Sequence, residues 1–241
     1  MSLETKAKGV LLDIEGTTSA IAYVYDVMFP FARKRLDGYL SEHWDDSALD
    51  PVRDRFAIDA GAESFAAWTR GSDDPRQTLL DEAVRLMDGD IKATGLKQLQ
   101  GLIWQSGFES GELRAHVYPD VPPALEAWKA AGVDLRVYSS GSVHAQKLFF
   151  GNSEAGDLLP VFTGHYDTTT GPKRESPSYA AIASDWGLPA GEILFLSDVT
   201  EELNAARKAG MMTALVSRPG NAEPTAADPP HPRIESFEEL N

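Results

Sequence analysis

A doubly wound α/β fold interrupted by a helical subdomain is what the sequence predicts, on three observations. From Tyr118 onward, short apolar runs alternate with amphipathic stretches punctuated by glycine and proline, the pattern of a parallel sheet covered on both faces. Three apolar runs stop at a polar residue, Asp13, Ser139 or Asp198. The carboxyl ends of parallel strands share one edge, and ligands of open α/β sheets bind there. Between the first run and the others lies a segment, residues 19–115, with helical spacing and little strand pattern.

The first run, Gly9-Val10-Leu11-Leu12, reads as a buried strand opening into Asp13-Ile14-Glu15-Gly16-Thr17-Thr18. Asp13 and Glu15 are two apart, so in an extended chain both point the same way. Two such acids can share a divalent cation or divide nucleophilic and acid–base work; a plain acidic turn would look the same. The helical segment opens with a helix around 27–40 containing Met28, Phe31, Leu36 and Tyr39, with Pro30 in its first turn or at a kink. Leu80, Ala83, Val84 and Met87 mark a second helix, and Leu96, Leu99 and Ile103 a third. Pro122, Pro123, Leu125 and Trp128 begin another, which Gly132 can end in the left-handed conformation. Strand-like residues 135–138 lead into Ser139-Ser140-Gly141-Ser142 and a helix through Leu148, and residues 161–164 read as a short strand. Ser176 and Pro177 suit the N-cap and first turn of a helix carrying Tyr179, Ile182 and Trp186, closed by Gly187. Residues 193–196 form a near-continuous apolar strand ending in Ser197-Asp198. A helix through Leu203 and Ala206 stops at Gly210, and residues 213–216 are the next strand. The Pro- and Ala-rich stretch 221–232 reads as a surface excursion.

A net charge of −15 argues against nucleic-acid and anionic-membrane surfaces, which need basic patches. There are no cysteines, which excludes disulfides and thiolate metal sites, and the five histidines are scattered singly without zinc-site pairs. No apolar run approaches membrane-spanning length and the N-terminus lacks a signal-peptide core, so a cytoplasmic compartment is the expectation.

Lys173, in Thr170-Gly171-Pro172-Lys173, precedes the helix near Ser176 and could reach the same sheet edge. Taken singly, Ser139 could be a helix cap, Lys173 a solvated side chain and Asp198 a turn residue. Together, two carboxylates for a cation, a hydroxyl and a lysine for phosphate oxygens, and a further acid make a phosphoryl-transfer site. Such chemistry needs in-line positioning and neutralised oxygens.

In order and context these residues resemble the four motifs of the haloacid dehalogenase superfamily of phosphohydrolases. Asp13-Ile14-Glu15-Gly16-Thr17 matches the nucleophile motif, Ser139 the phosphate-binding hydroxyl, Lys173 the lysine and Asp198 the acidic magnesium motif. The resemblance covers the whole chain. It implies a doubly wound, mostly parallel Rossmann-like sheet formed by residues 1–18 plus 116–241, with an inserted helical cap domain at 19–115. Longer words, Asp-Ile-Glu-Gly-Thr-Thr at 13–18, Tyr-Ser-Ser-Gly-Ser-Val at 138–143, Lys-Leu-Phe-Phe-Gly at 147–151 and Ser-Asp-Val-Thr-Glu-Glu at 197–202, resemble the enolase-phosphatase group of methionine salvage. Most of the superfamily's phosphatases carry Asp where this chain has Glu15; the enolase-phosphatases carry Glu.

The resemblance implies that Asp13 attacks phosphorus and that Glu15 acts as general acid and base. It assigns Ser139 and Lys173 to the phosphate, with Ser140 on the phosphate or the adjoining substrate chain. One Mg²⁺ per subunit is implied, held by the Asp13 carboxylate, Glu15 (its backbone carbonyl) and Asp198, with Glu202 supporting the lysine or the metal shell. The implied substrate is a small phosphorylated diketone, 2,3-diketo-5-methylthiopentyl 1-phosphate. It is enolised and then dephosphorylated to the acireductone 1,2-dihydroxy-3-keto-5-methylthiopentene. The base for enolisation stays open between Glu15 and a group in the cap. A monomer without nucleic-acid or membrane partners is expected. Two alternatives share the strand-end acids: a phosphatase of the same superfamily for another small ester, and a receiver-type phosphoacceptor, which is roughly half this length and lacks a large helical insertion.

Overall fold

The computed structural model describes residues 7–226 and 230–240. The chain falls into two compact units, Met1–Val24 with Arg114–Asn241, and Tyr25–Leu113.

The first unit holds a parallel sheet of six strands among the described residues: β1 (Gly9–Leu12), β2 (Asp134–Tyr138), β3 (Gly164–Tyr166), β4 (Ile193–Ser197), β5 (Met212–Val216) and β6 (Arg233–Ile234). Their order is β3-β2-β1-β4-β5-β6, with every neighbouring pair parallel. β1 lies in the middle; Leu12 pairs with Val137 on one side and Leu196 on the other. Three strands therefore end side by side, each just before a polar residue. All four residues of β1 are buried, as its unbroken apolar run requires of a strand covered on both faces.

The crossover helices are set by local signals. Helix α1 (Ile21–Tyr23) is a single turn following the first strand loop. In chain order come α2 (Phe29–His43), α3 (Asp50–Asp59), α4 (Phe65–Trp68), α5 (Pro75–Asp88) and α6 (Thr94–Glu109). Next are α7 (Val121–Ala130), α8 (Val143–Gly151), α9 (Ser176–Trp186) and α10 (Thr200–Lys208). Of these, α7 begins with prolines in its first turn, α8 is capped by Ser142, which accepts from the Ala145 amide at 3.2 Å, and α9 ends on left-handed Gly187. Leu11, Ile193 and Phe195 from one face of the sheet join Tyr179, Ile182 and Trp186 of α9 and Leu203 and Ala206 of α10 in one buried cluster.

The second unit is helical. Around α6 gather Leu36 and Leu40 of α2, Val52 and Phe56 of α3, and Leu79, Ala83 and Leu86 of α5, with Leu96, Leu99 and Ile103 of α6 at the centre. Gly95 is needed at the α3–α6 crossing, because a Cβ there would come within 2.8 Å of the Phe56 ring.

Several expectations need correction. Residues 161–164 are not a strand as such: Pro160 heads a 3₁₀ turn over Leu159–Val161, and β3 starts only at Gly164. Ser176 lies inside the first turn of α9, whose N-cap is Glu175. In α5 the fully buried stripe is Leu79, Ala83 and Leu86, while Leu80, Val84 and Met87 flank it partly buried. Helix α3 was not foreseen, because its mixed polar sequence Asp-Pro-Val-Arg-Asp-Arg-Phe buries only a narrow stripe. Strand β6 was also missed, being two residues long. The stretch 221–232 lies partly outside the described residues.

Leu11 is wholly buried in the central strand. Leu11→Ala is expected to cost about 2–5 kcal/mol, from lost burial plus the cavity left behind, read as a lower urea midpoint.

Candidate active site

The site is built where β1, β2 and β4 end. The Asp13 amide donates to the Leu196 carbonyl at 3.0 Å, continuing the β1–β4 ladder by one residue, and the chain then turns. The Ile14 carbonyl accepts from the amides of Thr17, Thr18 and Ser19 at 3.2, 3.0 and 3.0 Å. This closes a tight loop in which Gly16 takes a φ of +73°. Only glycine suits the position twice over: it favours that backbone, and a Cβ would overlap the Asp198 carboxylate.

Asp13 is buried, and Lys173 reaches it with Nζ 2.7 Å from Oδ1. The same ammonium lies 2.7 Å from Glu202 Oε2. Burial opposes the charge on Lys173, but Asp13 and then Glu202 outweigh it and hold the pKa above the ordinary lysine value. The lysine's loop is tied down by three hydroxyls. Tyr138 donates to the Gly171 carbonyl at 2.8 Å, Ser178 to that of Pro172 at 2.7 Å and Tyr179 to that of Lys173 at 2.6 Å.

Ser139, fully buried, donates to Glu15 Oε2 at 3.1 Å and accepts from the Gly141 amide at 3.2 Å. It is thus no helix cap, a task that falls to Ser142. Ser140 is exposed beside it. Burial, and next the charge of Asp13, raise the Glu15 carboxyl. The same two causes in the same order push Asp198 up to about 7 and Glu202 up to about 8.

The structure therefore brings Asp13, Lys173 and Glu202 into direct contact, joins Glu15 to Ser139, and sets Asp198 against Gly16. Glu202 pairs with the lysine. Ser197 was not singled out from sequence, yet its hydroxyl lies 3.1 Å from Asp13 Oδ2 and 3.2 Å from Glu202 Oε2 while accepting the Val199 amide at 3.1 Å. Its place as the last residue of β4, beside Asp198, was the available signal.

A divalent cation suits this edge on the donor chemistry. Burial and Asp13 raise three carboxyls here, Glu15, Asp198 and Glu202, and among the described residues Lys173 makes ion pairs with only Asp13 and Glu202. The Gly16 amide donates to the Ser19 carbonyl at 2.8 Å. In a trans peptide the Glu15 carbonyl points the opposite way, and no donor among the described residues reaches it. Among those residues no three His, Cys, Asp or Glu side chains converge to hold a metal by themselves. The available oxygens are the carboxylates of Asp13 and Asp198 and the Glu15 carbonyl, completed by water or substrate, which is the incomplete oxygen shell Mg²⁺ accepts.

A second network lies behind the loop. Arg218, buried, forks onto Asp120 with Nη1 at 3.0 Å from Oδ1 and Nη2 at 2.9 Å from Oδ2. Its Nε donates to the Thr17 carbonyl at 3.1 Å. Burial alone would raise the Asp120 carboxyl; the Arg218 fork and the Phe237 amide overcome this and hold it below the usual 3.8.

This arrangement of strand-end acids, hydroxyl and lysine on a parallel sheet is that of the haloacid dehalogenase-like hydrolases. The model of that family matches residues 7–210, and the chain belongs to it. Among relatives, the enolase-phosphatase E1 of Pseudomonas aeruginosa strain UCBPP-PA14 is 48% identical over 97% of each chain. That of Synechococcus elongatus is 45% identical over the full length of both. The crystal structure of the UTR4 protein of Saccharomyces cerevisiae superposes with a TM-score of 0.78 at 36% identity, covering 96% of this chain and 99% of that one. A dehalogenase with 18% identity and a TM-score of 0.57 shares the fold.

Two outcomes test this geometry. Gly16→Ala should lower turnover by at least about 10²-fold, because moving the loop off Asp198 misplaces the reacting groups, with the protein still folded by circular dichroism. Asp120→Asn should cost about 3–5 kcal/mol at neutral pH by leaving Arg218 buried without its counter-charge. The Asp120 pKa is depressed in the folded state, so its contribution is fully present above the unfolded value and fades as pH falls through the folded one. Urea titrations should show the gap between wild type and variant constant above pH 3.8 and shrinking below it.

Proposed function

We propose that the protein is an Mg²⁺-dependent enolase-phosphatase that enolises 2,3-diketo-5-methylthiopentyl 1-phosphate and dephosphorylates the enol to 1,2-dihydroxy-3-keto-5-methylthiopentene, an acireductone, plus phosphate. The observation that carries this is the pairing of Asp13 with Lys173 while Glu15, the longer acid, turns to Ser139. Relatives named enolase-phosphatase, near half identical over almost the whole chain, support the substrate.

Asp13 is the nucleophile. Lys173, with Nζ 2.7 Å from its Oδ1, lowers its repulsion from the dianionic phosphate. In-line attack forms the Asp13 acyl phosphate and expels the enol oxygen, which Glu15 protonates. Glu15 is suited to this because burial and Asp13 favour its protonated form. The same carboxylate then takes a proton from the water that attacks phosphorus and frees Asp13. Ser139, now donating to Glu15, and Lys173 hold the phosphate oxygens, with Ser140 beside them. Glu202 and Ser197 orient the lysine and the nucleophile. Asp13, Asp198 and the Glu15 carbonyl would hold the metal. When bound, magnesium neutralises phosphate charge and polarises the carbonyl next to the acidic proton. For that enolising proton transfer we also assign Glu15, whose carboxyl is joined to Ser139 and makes no direct ion pair with Lys173.

The region 19–115 acts as the cap domain of a core formed by residues 1–18 and 116–241. The reading is of a cytoplasmic monomer acting on a small molecule without nucleic-acid or membrane partners; no helix among the described residues is long and apolar enough to cross a membrane.

Given the diketo phosphate, the wild type should show a transient enol absorbance before phosphate release, and Asp13→Asn should lose at least about 10⁴-fold in phosphate release. Phosphate release without the enol signal would remove the enolase half. Appreciable turnover by Asp13→Asn would remove the nucleophile.

A further inference from the structure

The first strand loop presents three successive carbonyls with different fates. That of Glu15 accepts from no donor among the described residues. The next two, Gly16 and Thr17, are each captured from behind by the segment that follows β5. Asn221 Nδ2 donates to the Gly16 carbonyl at 2.9 Å, and Arg218 Nε to the Thr17 carbonyl at 3.1 Å. The Gly16 amide is held at the same time by the Ser19 carbonyl. The Glu15 carbonyl shares a planar peptide unit with the Gly16 amide, so the bond to Ser19 sets its direction, and the bonds from Asn221 and Arg218 hold the two peptide units that follow.

Arg218 is anchored far more strongly than one hydrogen bond to a loop requires. Its guanidinium lies between the rings of Tyr118 and Phe237, 4.5 and 5.0 Å from their centroids, and Nη1 also donates to the Glu235 carbonyl at 2.9 Å. Asp120 receives, besides the fork, the Phe237 amide at 2.7 Å and the Ser236 hydroxyl at 3.2 Å. One guanidinium therefore joins the nucleophile loop, the chain around residue 120, the loop after β5 and the C-terminal segment. On the opposite side the loop meets Asp198, where Gly16 leaves no room for a Cβ.

We infer that Arg218 and Asn221 are positioning residues for the cation-binding loop, setting the Glu15 carbonyl and Asp13 at a fixed place opposite Asp198. Asp120 and the C-terminal segment 235–237 hold Arg218 in register. Neither Arg218 nor Asn221 touches substrate; both act through the backbone of Gly16 and Thr17. The inference rests on the phosphohydrolase reading of the site.

The test uses Mn²⁺ as the probe, with affinity measured by calorimetry on the full-length protein, alongside thermal melts and the Mg²⁺ dependence of ester hydrolysis. Asn221→Ala deletes one donor from a partly exposed side chain. It should weaken Mn²⁺ binding by about 3–10-fold, the size of one hydrogen bond. Arg218→Lys keeps the charge but loses the fork and the donor to Thr17; it should weaken binding further, and the Mg²⁺ needed for half-maximal hydrolysis should rise in step. A purely structural role would lower the melting temperature and leave the affinity of the folded protein unchanged. Wild-type Mn²⁺ affinity in Asn221→Ala overturns the inference, even if Arg218→Lys fails to fold. A wild-type protein that neither binds Mn²⁺ nor hydrolyses the ester overturns the phosphohydrolase reading itself, and the inference with it.

Discussion

The ammonium of Lys173 between Asp13 and Glu202 is the interaction on which the sheet edge depends. Asp13, Glu15, Asp198 and Glu202 converge on a largely buried region, where burial and the charge of Asp13 raise the carboxyls of the other three. A nucleophilic carboxylate has to be ionised. Lys173 supplies opposite charge at 2.7 Å to two of these acids. A buried ion pair is costly to desolvate, and here the cost is offset by a further hydrogen bond from Ser197 and by a loop pinned at three consecutive carbonyls. The bonds from Tyr138, Ser178 and Tyr179 fix the backbone from which the lysine side chain extends toward the two acids.

Topology explains why these residues meet. Strand β1 lies between β2 and β4, and the chain order reverses between β1 and β4. Side chains at the carboxyl end of an open parallel sheet face a crevice at such a reversal. Asp13 and Asp198 come from its two walls, Ser139 from the neighbouring strand and Lys173 from the loop before α9. Sequence separations as large as 184 residues between Ser197 and Asp13 thus become hydrogen-bond distances.

The sheet was legible because its strands are near-continuous apolar runs, each stopping at one polar residue. Asp13, Ser139 and Asp198 stand out for that reason. Lys173 became visible only through its context, and the role of Glu202 was ambiguous because a helix acid exposed to solvent has the same letter. What could not be read is what depends on contact across the fold. Arg218 and Asp120 are 98 residues apart and each looks like an ordinary surface charge. Ser197 was overshadowed by the acid that follows it. The short strand β6 and the polar helix α3 carry too little periodic signal, and Pro160 shifted the start of β3. Glu15 illustrates the limit most clearly: its place two residues after Asp13 did not say which way its carboxyl turns, and the fold turns it to Ser139.

The central claim is that Asp13 carries the phosphoryl group during turnover. Acid quenching within the first turnover on the diketo phosphate, followed by peptide mass mapping, tests it directly. The account predicts one phosphoryl group on the peptide containing Asp13, absent from Asp13→Asn. A phosphoryl group on another residue, or none in a protein that is releasing phosphate, would contradict it.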